Sequence, residues 1–101
     1  MVTDSKLICA LLRKLAEIEK TAADGRPVQP ALDRSVADPI VIDGYDWSAI
    51  DEHLKKLIEY GLVDATEIMV GIHFKRLSDA GHQVLADCNT KPPEQIGFVR
   101  F

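Results

Sequence analysis

The spacing of apolar residues changes period twice between Trp47 and Cys88, and this constrains the fold more than any other feature of the chain. Trp47, Ile50, Leu54, Leu57 and Ile58 recur at three- and four-residue steps, the stripe of an amphipathic helix from about Trp47 to Tyr60 with Asp46 as its cap. Gly61 supplies a left-handed stop, after which Leu62 folds back onto the last turn. Leu62 to Ile68 and Ile72 to Leu77 then read as two strands of a hairpin, joined through Met69-Val70-Gly71. Ser78 caps a last helix, from about Asp79 to Cys88, with Gly81, Val84, Leu85 and Cys88 facing inward. Gly81 is costly inside a helix unless another backbone passes close by.

Upstream, Ile8, Leu11, Leu12, Leu15 and Ile18 form the stripe of a first helix from about Lys6 to Lys20, with Asp4 or Ser5 as cap and Gly25 with Pro27 as stop. Pro27, Pro30 and Pro39 punctuate an irregular stretch, roughly residues 22–39, with room for one short helix around Ala31 to Val36. Ile40-Val41-Ile42 is β-branched and reads as a brief strand, closed by a turn at Asp43-Gly44. The expected order is helix, short strand, helix, β-hairpin, helix. This is an α+β domain over residues 1–89 with a Pro-rich insert at about 22–39, followed by a tail at 90–101. That tail ends in Ile96-Gly97-Phe98-Val99-Arg100-Phe101, apolar enough to pack on the domain or on a partner. A helix leading at once into a twisted two-stranded wing is the centre of a winged helix-turn-helix, which sets its recognition helix in the DNA major groove.

At 101 residues the chain builds one core, and its 47% apolar and 28% charged residues are ordinary for a globular protein. Net charge is −4, which argues against a protein that coats nucleic acid or anionic membrane, while leaving room for a local basic patch. No apolar run is long enough to span a bilayer, and the N-terminus lacks the pattern of a signal peptide. Cys9 and Cys88 lie far apart inside helical patterns, so buried reduced thiols and a cytoplasmic location are expected.

Two stretches carry a resemblance. One is Gly44-Tyr45 followed by His53-Leu54-Lys55-Lys56-Leu57-Ile58-Glu59-Tyr60-Gly61-Leu62-Val63. The other is Leu77-Ser78-Asp79-Ala80-Gly81-His82-Gln83-Val84-Leu85. Singly, they look like the recognition helix with its following strand, and the segment after the wing, of many winged-helix regulators. Together with the Leu7-to-Glu19 helix they resemble the domain-of-unknown-function family 2513 of phages and bacterial genomes, over about residues 4–88. Ser78 stands where such proteins often carry Thr, and either hydroxyl can cap. The resemblance implies a winged-helix fold and no particular activity. The insert before Ile40 and the tail after Pro93 lie outside it.

The expected function is that of a DNA-binding accessory or regulator of phage type, working as a dimer. Ser48, Lys55 and Lys56 would approach the groove, and Lys75 and Arg76 the flanking phosphates. Ser48, Asp51, Glu52, Lys55, Lys56 and Glu59 should face outward from the second helix. From Asp46 to Tyr60 there are four acids against two lysines, a local net of −2 that repels phosphate. In an extended strand Lys75 and Arg76 point to opposite faces and form no single patch. The alternative is a protein-interaction module on the same fold, using Met69, Val70, Phe98 and Phe101 to bind a second copy or a host protein. Tyr45 and Trp47 are expected as core-edge anchors; exposed, they would mark a partner-binding spot.

Catalysis, cofactors and a small-molecule substrate find no support in the residues. His53, His73, His82, Cys9 and Cys88 lack the short paired spacings of zinc modules. His53 and His82 are expected to hydrogen-bond a neighbouring backbone or carboxylate group. Ser78, Asp79 and His82 read as a helix cap and its first turn rather than a triad.

Overall fold

The computed structural model describes residues 5–21, 24–30, 39–69 and 71–90. In chain order the elements are α1 (Ser5–Thr21), β1 (Arg26–Pro30), β2 (Pro39–Ile40), α2 (Trp47–Glu59), β3 (Val63–Glu67), β4 (Ile72–Leu77) and α3 (Asp79–Thr90). The class is α+β. Asp4, the tract from Ala31 to Val36, Val70, Phe98 and Phe101 lie outside the described residues.

The sheet order is β2-β1-β4-β3. β4 pairs antiparallel with both β1 and β3, while β2 adds one short parallel pairing through Gln29 and Pro30. One face of the sheet is dry. Val28, Ile40, Val63, Ile72, Phe74 and Leu77 join Leu7, Ile8, Leu11, Leu12 and Leu15 of α1 and Ile50, Leu54 and Leu57 of α2 in a single core. The other face carries Pro27, Asp64, Thr66, Lys75 and Arg76, all exposed, the usual division of an antiparallel sheet covered on one side.

Strand β1 corrects the expected element order, in which residues 26–30 belong to an irregular insert on account of Pro27 and Pro30. Proline is disfavoured in a strand because it removes a ladder N–H. Here β2 reaches only Gln29 and Pro30, so no described strand pairs with that side of β1 beside Pro27, and Pro30 is the last residue of the strand. The brief strand upstream of α2 is shorter than expected, ending at Ile40, and Val41 is exposed.

The caps follow the sequence. Asp46 Oδ1 accepts the Ala49 N–H at 2.9 Å at the start of α2, and at its end the Leu62 N–H returns to the Leu57 carbonyl at 2.9 Å. Ser78 Oγ accepts the Gly81 N–H at 3.0 Å and donates to the Gly61 carbonyl at 2.5 Å, which ties α3 to the end of α2. Gly81 meets the expected close backbone: a Cβ there would run into the Leu62 carbonyl group.

Cys9 and Cys88 form a disulfide, which corrects the expectation of reduced thiols. Both lie on the buried sides of α1 and α3, and the packing of these helices brings their Cα atoms to 5.7 Å, inside the range that permits a bond. Distance along the chain, 79 residues, said nothing about distance in space. Arg13 strengthens the same junction, donating from Nη2 to the Cys88 carbonyl at 3.0 Å and from Nε to Asn89 Oδ1 at 3.4 Å. Such contacts satisfy carbonyl groups left open at a helix end.

Candidate interaction site

Two ends of the molecule carry the residues singled out from the sequence. At one end the N-terminal half of α2 meets the hairpin turn. Asp51 was expected on a wet helix face; instead its Oδ1 accepts the Gly71 N–H at 2.7 Å and its Oδ2 lies 3.3 Å from Lys55 Nζ. The cause is local crowding of the turn. Gly71 has φ +93°, and a Cβ there would strike the Val28 carbonyl, so the turn is pressed onto β1 with its N–H aimed at α2. The turn is therefore fastened to the helix and to β1.

Lys55 is thereby engaged by an acid of its own helix. Lys56 lies over the Tyr60 ring, 5.9 Å from its centre, within cation–π range. Ser48 is exposed in the first turn of α2. Glu67 ends β3 opposite Ile72, on the turn side of the hairpin. Four acids thus belong to this end: Asp46 at the cap of α2, Asp51 and Glu52 in its first half, and Glu67 at the turn end of β3.

Large apolar side chains stand exposed at this same end. Met69 is 95% exposed in the hairpin turn and Trp47 is 50% exposed at the start of α2. Trp47 and Asp51 are four residues apart, hence on one side of the helix. Burial of Trp47 as a core-edge anchor is thus corrected: the core closes on Ile50 and Leu54, one and two turns further along. Tyr45 does pack against that core.

The other end holds Lys75 and Arg76. The β3–β4 register pairs Asp64 with Arg76 but Ala65 with Phe74, so Lys75 is the extra residue of a β-bulge. The bulge resets the alternation: Phe74 and Leu77 are both buried, and Lys75 and Arg76 between them are both exposed. This corrects the expectation that they point to opposite faces, which holds only for an unbroken strand. Arg76 Nε lies 3.5 Å from Asp64 Oδ2, with both side chains largely exposed, a geometry that contributes about 0–1 kcal/mol in general.

From Ile72 to Arg76 the strand advances about 13 Å at the usual rise of a strand, so Lys75 and Arg76 lie at the hairpin's base while Lys55 lies beside its turn. The five candidate DNA-contacting residues are not gathered into one surface. Beside Arg76, Glu19 Oε1 accepts the Leu77 N–H at 3.0 Å and its Oε2 lies 3.4 Å from His82 Nε2. His53, buried, donates from Nδ1 to the Ala49 carbonyl at 2.8 Å. Both histidines thus have the neighbours expected of structural imidazoles.

Three features of the site escaped sequence reasoning: the exposure of Trp47, the Asp51–Gly71 bond and the bulge at Lys75. The run Phe74-Lys75-Arg76-Leu77, with two charges between two large apolar residues, breaks period-two alternation and was the available signal for the bulge. Among the described residues no group of three or more His, Cys, Asp or Glu side chains is arranged to hold a metal ion. No described helix is long and apolar enough to cross a membrane. No family model matches the chain, and no curated protein or solved structure matches it either.

Proposed function

We propose that the chain is a winged-helix module of phage type that performs no catalysis and docks a partner protein through the end formed by α2 and the hairpin turn. The observation that carries this reading is the make-up of that end: Met69 and Trp47 exposed, with Asp46, Asp51 and Glu52 at the cap and in the first half of α2 and Glu67 at the turn end of β3. Exposed aromatic and methionine side chains are enriched where proteins meet, whereas acids repel phosphate. A second copy is the less favoured partner, since two such ends carry like charge.

The winged-helix assignment is supported by α2 running straight into the β3–β4 hairpin, with α1 packed behind and β1 paired to the returning strand. Membership of the domain-of-unknown-function family 2513 belongs to the same proposal. Its two motif stretches fall on the α2–β3 joint and the β4–α3 joint, where Leu62 and Gly81 touch.

The test is a photo-reactive amino acid placed at position 69 of the full chain in its host. We expect crosslinks to a protein that, once purified, binds the wild-type chain and loses at least tenfold affinity, about 1.4 kcal/mol, with Met69→Asp. Crosslinks to nucleic acid alone, or a partner indifferent to Met69→Asp, overturn the reading.

Duplex DNA is the second reading, and the bulge favours it by turning Lys75 and Arg76 together into solvent. On this reading Ser48, Lys55 and Lys56 approach the groove.

A further inference from the structure

We infer that the segment docked at this end of the molecule is basic: a stretch of partner chain carrying several Lys or Arg side chains lies along the groove between α2 and the end of β3, with an apolar anchor on Met69. The inference rests on the docking reading above and names the partner's chemistry.

The groove is lined by Glu52, Lys55, Lys56, Ile58, Glu59 and Glu67. Counted from Glu52, Lys55, Lys56 and Glu59 follow at three, four and seven residues, which is one side of a helix. Glu67 lines the groove from β3 and stands two residues before Met69, so the groove runs into the apolar tip. Both lysines are already engaged. Lys55 Nζ lies 3.3 Å from Asp51 Oδ2, and Lys56 lies over the Tyr60 ring. The carboxylates of Glu52, Glu59 and Glu67 have no ion pair or side-chain hydrogen bond among the described residues. With Asp51 added to the lining side chains, four acids stand against two bases, a net of −2.

An acidic partner laid along this surface brings like charges together, and an apolar one strips water from carboxylates without replacing it. Lys or Arg instead supplies charge-assisted hydrogen bonds to the carboxylates. Its aliphatic stem covers Ile58, which is partly buried against the core. The positive charge has to be spread along a chain, because among the described residues no three His, Cys, Asp or Glu side chains converge to hold a metal ion. Trp47, half exposed at the start of α2, offers a ring face on which an Arg guanidinium stacks.

Selection of a random dodecapeptide library, displayed on ribosomes, against the immobilised full chain tests this. Peptides that bind the wild-type chain and are lost on Met69→Ser should be net positive, with Lys or Arg beside an apolar residue. Their affinity, read by fluorescence anisotropy, should fall at least about tenfold on the Glu52→Gln, Glu59→Gln, Glu67→Gln chain and should weaken as salt rises. The Glu17→Gln, Asp24→Asn, Asp43→Asn chain removes the same charge from exposed positions outside the groove and should bind as the wild type does. Circular dichroism confirms that both chains remain folded. Met69-dependent peptides that are neutral or acidic, or that ignore the three glutamine substitutions, overturn the inference and leave the docking reading standing. Basic peptides that need the three glutamates but not Met69 overturn the docking reading at Met69 and support the groove's preference. A selection without saturable binders overturns the inference, and crosslinking from position 69 then judges the docking reading by itself. Self-association of the chain that is lost with Lys75→Ala, Arg76→Ala would seat a second copy in the groove and overturn the separate partner.

Discussion

Asp51 and Gly71, twenty residues apart, are joined by a 2.7 Å hydrogen bond from the Gly71 N–H to the Asp51 carboxylate. The bond crosses from the middle of α2 to the tip of the β3–β4 hairpin, so the helix and the turn behave as one unit.

That bond is charge-assisted and its acceptor side chain is only 16% exposed. Asp51→Ala should therefore lower unfolding free energy by about 1.5–3 kcal/mol, measured by urea denaturation. Asp51→Asn keeps an acceptor oxygen and should cost less than Asp51→Ala. Equal losses would mean that the carboxylate charge carries the contribution and that a neutral acceptor oxygen adds little there.

Gly81→Ala places a Cβ against the Leu62 carbonyl, a backbone group that cannot swing aside as a flexible side chain would. Against the usual gain of alanine over glycine in a helix, we expect a net loss of about 1–3 kcal/mol. A stabilised variant in thermal denaturation would show that the contact between α3 and the end of α2 is looser than described.

Ser78 spends its hydroxyl twice, as acceptor for Gly81 and as donor to Gly61. Ser78→Ala should cost about 1–2 kcal/mol, whereas Ser78→Thr should stay within about 0.5 kcal/mol of the parent. Circular dichroism melting curves separate the two.

For duplex DNA, anisotropy of a labelled mixed-sequence duplex across a salt series decides between the two functional readings. The partner-protein reading expects no saturable signal at high micromolar protein and low salt. Saturable binding that fades with salt and is lost in the Lys75→Ala, Arg76→Ala chain would instead establish the DNA reading.

The elements around α2 were legible because each follows from one strong local rule: a helical stripe with Asp46 as cap, Gly61 as stop, and Ser78 as the next cap. Strand β1 was not, because the local signal of Pro27 and Pro30 opposes a strand and only the pairing with β4 overrides it. At the candidate site Met69 was visible as an apolar tip, but the exposure of Trp47 was not, since a tryptophan at a helix start is buried or exposed according to what packs above it. The Cys9–Cys88 bond and the Asp51–Gly71 bond depend on tertiary packing and leave no mark in spacing.

The sheet order leaves β3 as an outer strand, with no described strand beyond it. An outer strand is a template on which another chain can extend the sheet, the first step toward aggregates. Here β3 is five residues long, reads Val-Asp-Ala-Thr-Glu, and lies next to the bulge at Lys75. Asp64 and Glu67 would bring like charges together if two copies met along this edge, and the bulge breaks the flatness that such growth needs. The same irregularity that turns Lys75 and Arg76 into solvent thus helps protect the molecule from polymerising through its own sheet.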